Sequence, residues 1–85
     1  MAEKKTTGTA KKLNSVKGTY KVSQRLNLRA DAGMDQAVLE EMPAGAAIES
    51  NGYYKEINGE RWIRITAVAG REIKGYCMGK YLQKA

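Results

Sequence analysis

Gly52-Tyr53-Tyr54-Lys55-Glu56-Ile57-Asn58-Gly59-Glu60-Arg61-Trp62-Ile63-Arg64-Ile65 is the stretch whose reading decides the fold. Asn-Gly needs positive φ at both positions and is the strongest short-range signal for a two-residue hairpin turn, and here it separates two runs rich in β-branched and aromatic residues. The turn predicts a register in which Ile57 faces Glu60, Glu56 faces Arg61, Lys55 faces Trp62, Tyr54 faces Ile63 and Tyr53 faces Arg64. Because side chains alternate along a strand, one face then holds Tyr54, Ile63, Ile65 and Ala67, the core side. The other holds Tyr53, Lys55, Trp62 and Arg64, two rings alternating with two cations. That outer face is the candidate for function.

Further along, a three-residue loop through Ala69, Gly70 and Arg71 pairs Ile63 with Cys77, Ile65 with Gly75 and Ala67 with Ile73. A two-residue turn at Ala69-Gly70 would instead set Ile65 against Lys74 and break the apolar face. The three-residue register also places Trp62 beside Met78, Arg64 beside Tyr76 and Thr66 beside Lys74. Upstream, Thr19 to Val22 reads as a strand, and Leu26-Asn27-Leu28-Arg29 alternates with both leucines inward. Ala30 to Gln36 is a polar loop. Ala37 to Met42 reads as a short strand with Val38 and Met42 inward, Pro43-Ala44-Gly45 turns the chain, and Ala46 to Ser50 is another strand. Tyr81 and Leu82 close the domain in a 3₁₀ turn. Short strands with turns between them and no long helix predict an all-β barrel of five to seven antiparallel strands.

Eighty-five residues with 28% charge fit one small domain, read as residues 19–85 behind a Lys-rich disordered tail over residues 1–18. The net charge of +6 suggests a polyanion partner, but five lysines and one glutamate lie between Met1 and Lys17, leaving ten basic against eight acidic residues from Gly18 onward. A nucleic-acid partner is therefore the weaker reading, with tail-driven attraction its form. No apolar run approaches the roughly 18 residues of a membrane span. The first dozen residues have no apolar signal-peptide core, so localisation depends on whether the chain is whole, with a cytoplasmic or phage-associated role, or cut from a larger secreted protein.

A single cysteine and no histidine leave no disulfide, no mixed Cys/His zinc set and no histidine base, so neither metal, cofactor nor catalysis is expected. Cys77, inward beside Ile63, reads as a small core hydrophobe.

Three anchors stand in order: Leu26-Asn27-Leu28-Arg29-Ala30, Trp62-Ile63-Arg64-Ile65, and Gly75-Tyr76-Cys77-Met78-Gly79-Lys80-Tyr81-Leu82. Together they resemble the bacterial Src-homology-3 (SH3) domain family over Tyr20 to Leu82. Tyr76 stands where that family more often has tryptophan, Cys77 where valine is common, and the hairpin from Tyr53 to Arg61 is longer than a minimal member carries. The resemblance implies an SH3-like barrel that binds rather than catalyses, with a cell-wall peptide or peptidoglycan fragment as the expected partner of a monomer and a protein partner as the alternative. The binding residues expected are Tyr53, Lys55, Trp62, Arg64, Tyr76 and Met78, with Asn27 and Arg29 beside them. Two roles stay open: the outer rings either meet ligand or cover neighbouring strands under Lys55 and Arg64 as cation–π pairs, and Asn27 and Arg29 either touch ligand or brace the polar loop.

Overall fold

The computed structural model describes residues 11–13 and 15–85. Among them the chain forms β1 (Lys11–Lys12), β2 (Gly18–Val22), β3 (Leu26–Arg29), β4 (Val38–Met42), β5 (Ala47–Ile57), β6 (Glu60–Val68), β7 (Arg71–Met78), a 3₁₀ turn (Gly79–Tyr81) and β8 (Leu82–Lys84). The pairings are antiparallel, in the order β4-β3-β7-β6-β5-β2-β8, with β1 joining β5. The all-β expectation holds, and the additional strands are short ones at the two ends of the chain. Among the described residues no helix is long and apolar enough to cross a membrane.

The sheet curls around one core. Met42 from the edge strand β4 and Val22 and Leu82 from the opposite end meet Leu28, Ile48, Ile63, Ile65, Val68 and Cys77 in a single cluster. Two backbone bonds, Val22 N–H to Ala46 O at 3.0 Å and Gly45 N–H to Val22 O at 2.7 Å, tie β2 to the β4–β5 turn. Gly75 makes the curl possible where β3 crosses β7. A Cβ there would lie 2.6 Å from Arg29 O and 2.9 Å from Leu28 Cγ, distances only a missing side chain allows.

The central hairpin has the expected register from Ile57↔Glu60 to Tyr54↔Ile63. Beyond Tyr54 it departs. A plain ladder would set Gly52 against Ile65, but Ser50 takes that place, so Asn51, Gly52 and Tyr53 bulge outward from a β5 that runs on without a break. The bulge is closed locally, by the Gly52 N–H to Ser50 Oγ at 3.1 Å and the Tyr53 N–H to Asn51 Oδ1 at 3.1 Å. Gly52 adopts φ 94°, and Leu13 N–H reaches its carbonyl at 2.9 Å. Tyr53 therefore does not face Arg64. It pairs with Lys12 instead.

That pairing also moves the tail boundary. Residues 1–10 and 14 of the expected disordered segment lie outside the described residues, but Lys11 and Lys12 form β1 against Tyr54 and Tyr53. Val16 is buried in the core, under a 2.5 Å hydrogen bond from the Tyr20 hydroxyl to its carbonyl. Leu13 and Val16 are too few to establish a period in a polar segment, which is why this anchor is invisible to pattern reading.

In the second hairpin both competing registers occur in part. Ile63↔Cys77 and Ile65↔Gly75 pair as the three-residue loop requires, yet Val68↔Arg71 and Ala67↔Glu72 belong to a two-residue turn. A bulge between Ile65 and Ala67 absorbs the difference, so Ala67 does not meet Ile73. A further bulge, between Leu28 and Arg29, sets Glu40 against Leu28 and Val38 against Arg29. It breaks the alternation in β4, and Val38 points outward at 49% exposure while Met42 is fully buried.

The two hairpin turns share their backbone but not their chemistry. Asn58 and Gly59 take φ 53° and 80°, and Ala69 and Gly70 take φ 51° and 81°. An alanine in the left-handed region brings its Cβ against the following carbonyl, a strain of about 1 kcal/mol that asparagine largely escapes. Ala69→Asn is expected to raise the urea midpoint, with stability higher by about 0.5 to 1 kcal/mol. Gly75→Ala is expected to lower stability by about 2 kcal/mol or more, because the obstacle is backbone and core rather than a flexible side-chain end.

Candidate functional site

The outer face of the β5–β6–β7 strands carries most of the predicted residues, and the alternation places them there as expected. It is not an open face. The loop from Ala30 to Ala37 leaves β3 at Arg29, which pairs with Tyr76 of β7, and so passes over the rings. Ala32 packs on Trp62 and Tyr76, with Ile57 and Met78 at the margin, forming a second small hydrophobic cluster. Trp62 retains 2% of its surface and Tyr76 5%, so the expectation of exposed rings is corrected: a face is open only if nothing lies across it. The loop's polar composition concealed the one small apolar residue that seals them.

Several bonds hold this cover. Arg29 Nη1 donates to the Gln36 carbonyl at 2.9 Å, the loop-bracing one of the two roles left open for it. Ala30 N–H bonds Ala37 O at 2.8 Å, and Gln36 N–H bonds Gly33 O at 3.2 Å. Asp31 accepts from Ala32 N–H at 2.7 Å and from Lys55 Nζ at 2.9 Å. The Lys55 and Asp31 side chains are only 14% and 32% exposed, so this pair is better shielded than the protein's outer ion pairs, such as Glu56 with Arg61 at 4.0 Å.

Beneath the loop the predicted residues separate into two places. Lys55 Nζ lies 5.1 Å and the Arg64 guanidinium 5.6 Å from the centre of the Tyr76 ring, so Lys55 sits over Tyr76 rather than over its strand partner Trp62. Trp62 and Met78, by contrast, floor an open groove in two compartments. The larger, about 570 Å³, runs between the loop and the Asn58-Gly59 turn, with Asp35, Glu56 and Glu60 on its walls. The smaller, about 220 Å³, continues past Asn27 and Arg29 to Tyr81. Met34, 64% exposed, lines both compartments and is a residue that sequence reasoning missed, since a lone methionine in a polar loop carries no periodic signal. Tyr53 belongs to neither place. It stands in the bulge at Gly52, with Lys12 Nζ 5.6 Å from its ring centre.

Cys77 is fully buried in the main core, and burial pushes its thiol from the ordinary 9.0 up to about 12. It has no part in either place. Compared with known protein families, with characterised proteins and with solved structures, the chain matches none.

Two outcomes follow from this geometry. Replacing Lys55 by Met, or Asp31 by Asn, is expected to lower stability by about 1 kcal/mol and to increase acrylamide quenching of Trp62, the chain's one tryptophan. For Cys77, the folded thiol keeps its proton to about pH 12 while the unfolded one loses it near 9.0. Its contribution to stability is therefore intact below pH 9 and lost as pH rises toward 12. Native-state labelling at about pH 8, below both values, should proceed only through unfolding, accelerating with urea in parallel with the unfolded fraction.

Proposed function

We propose that this protein is a non-catalytic binding module that takes a peptide-like ligand, with cell-wall peptide the favoured class, in the groove floored by Trp62 and Met78. The observation that carries the reading is Met34. A thioether left 64% exposed at the lip of a groove that also holds a second thioether and an indole is an adaptable apolar contact with no core to fill. Soft sulfur side chains accommodate irregular ligands, and the buried indole gives the floor rigidity. Asp35, Glu56 and Glu60 favour a ligand bearing amino groups, as the cross-linking residues of wall peptides do, and disfavour a phosphate backbone. The resemblance of the Leu26–Ala30, Trp62–Ile65 and Gly75–Leu82 segments to bacterial SH3 domains supports the same class. With no histidine in the chain and its one thiol buried, we read the groove as a binding site.

A protein partner is the second reading, favoured by Val38 and Leu39, which are 49% and 46% exposed on the edge strand β4.

Amide and indole chemical shifts during titration with soluble peptidoglycan stem peptides test the first reading. Saturable changes are expected at Met34, Met78 and the Trp62 indole. Met34→Ala should weaken binding by about three- to tenfold without altering the melting temperature. Trp62→Ala is unsuitable as the test, because removing a buried indole is expected to lower stability by about 3 kcal/mol or more. Absence of saturable change across neutral and basic wall peptides would remove the proposal, and changes confined to β4 on adding a protein partner would favour the second reading.

A further inference from the structure

We propose that Lys55, Arg64 and Lys74, gathered around the Tyr76 ring, form a site for a compact oxyanion, either a carboxylate or a phosphate group, separate from the groove. The strand register brings them together. Arg64 of β6 faces Tyr76 of β7, Lys74 lies two residues before Tyr76 and so on the same face, and Lys55 reaches the ring from β5. With Asp31 and the neighbouring backbone they line a pocket of about 340 Å³ that shares no residue with either compartment of the groove.

Charge is unbalanced in this pocket. Three cations stand against one carboxylate, Asp31, which is engaged by Lys55 at 2.9 Å. That contact occupies Lys55 and leaves Arg64 and Lys74 on the pocket lining. Among the described residues Lys74 reaches only the exposed Glu72, at 4.0 Å, and Arg64 Nε is buried with no hydrogen-bond acceptor. The Tyr76 ring holds the Arg64 guanidinium by cation–π attraction but does not neutralise it, and Asp31 is already taken by Lys55, so Arg64 keeps its charge without a carboxylate partner among the described residues. An oxyanion between Arg64 and Lys74 would neutralise both cations and take charge-assisted hydrogen bonds from them.

The site is tested by titrating the full chain with sodium phosphate and, separately, sodium acetate, with sodium chloride at matched ionic strength as reference. Signals of Tyr76, Lys74 and the Arg64 side chain are followed. Saturable shifts at these residues with phosphate or acetate, absent with chloride, are expected. Lys74→Ala, at an exposed position, should weaken the interaction on the order of three- to tenfold. Arg64→Lys, which keeps the charge but loses the planar fork, should weaken it as well, while circular dichroism confirms that both variants fold. A peptide with a free C-terminal carboxylate compared with its amide then separates the sources: discrimination between them assigns a peptide carboxylate, and saturation by phosphate alone assigns a phosphate. Shifts that are linear, that match chloride, or that survive both substitutions overturn the site. Because Met34 and Met78 lie outside this pocket, failure here leaves the groove's ligand a separate question.

Discussion

β6 is covered on both of its faces, and most of the architecture serves that condition. Inward, Ile63 and Ile65 meet the main core; outward, Trp62 lies against Ala32. A strand in a small antiparallel sheet ordinarily keeps one face in water. Here the outer face is closed by a loop rather than by a second sheet or a helix, so one short segment, held by Arg29 and the Lys55–Asp31 pair, covers the indole except for the margin that borders the groove. In a chain this small, where core volume is scarce, a second cluster built from one tryptophan, one tyrosine and one alanine is a substantial addition to buried apolar surface.

The same loop decides what the outer face can bind. By crossing the sheet at Tyr76 and Trp62 it divides one continuous aromatic and cationic strip into a groove with acidic walls and a pocket with a cationic rim. The two differ in sign of charge, so they suit different parts of a ligand or different ligands. Bulges do comparable work elsewhere. The one at Gly52 carries Tyr53 away from the strip and opens a place for β1, and the one at Arg29 turns Val38 out of the core onto an edge strand. Each places extra residues in one strand only, so the side chains beyond it meet different partners from those a regular ladder would give them.

How much of this was legible can be judged at particular residues. The Asn58-Gly59 turn and the register from Ile57 to Tyr54 follow from local chemistry, because a two-residue turn with positive φ at both positions permits only one pairing. The inward set of Ile63, Ile65 and Cys77 follows from period-two alternation. The second hairpin was legible only in part. Its apolar pattern favoured a three-residue loop, which holds for Ile63 and Ile65, while the turn itself closes on two residues, and a bulge that the pattern does not contain joins the two. Met34 was missed as a site residue, and Val16 as a core residue, because each lies in a polar stretch with too few large apolar neighbours to set a period.

By itself, then, the order of residues determined the strands, the central turn and which side chains share a face, since these depend on dihedral preferences and on alternation between neighbours. Only the tertiary structure decided which of those faces meets water. Burial depends on what a distant segment lays across a surface, and the approach of Ala32 to Trp62, far apart in the chain, leaves no trace in the local pattern of either.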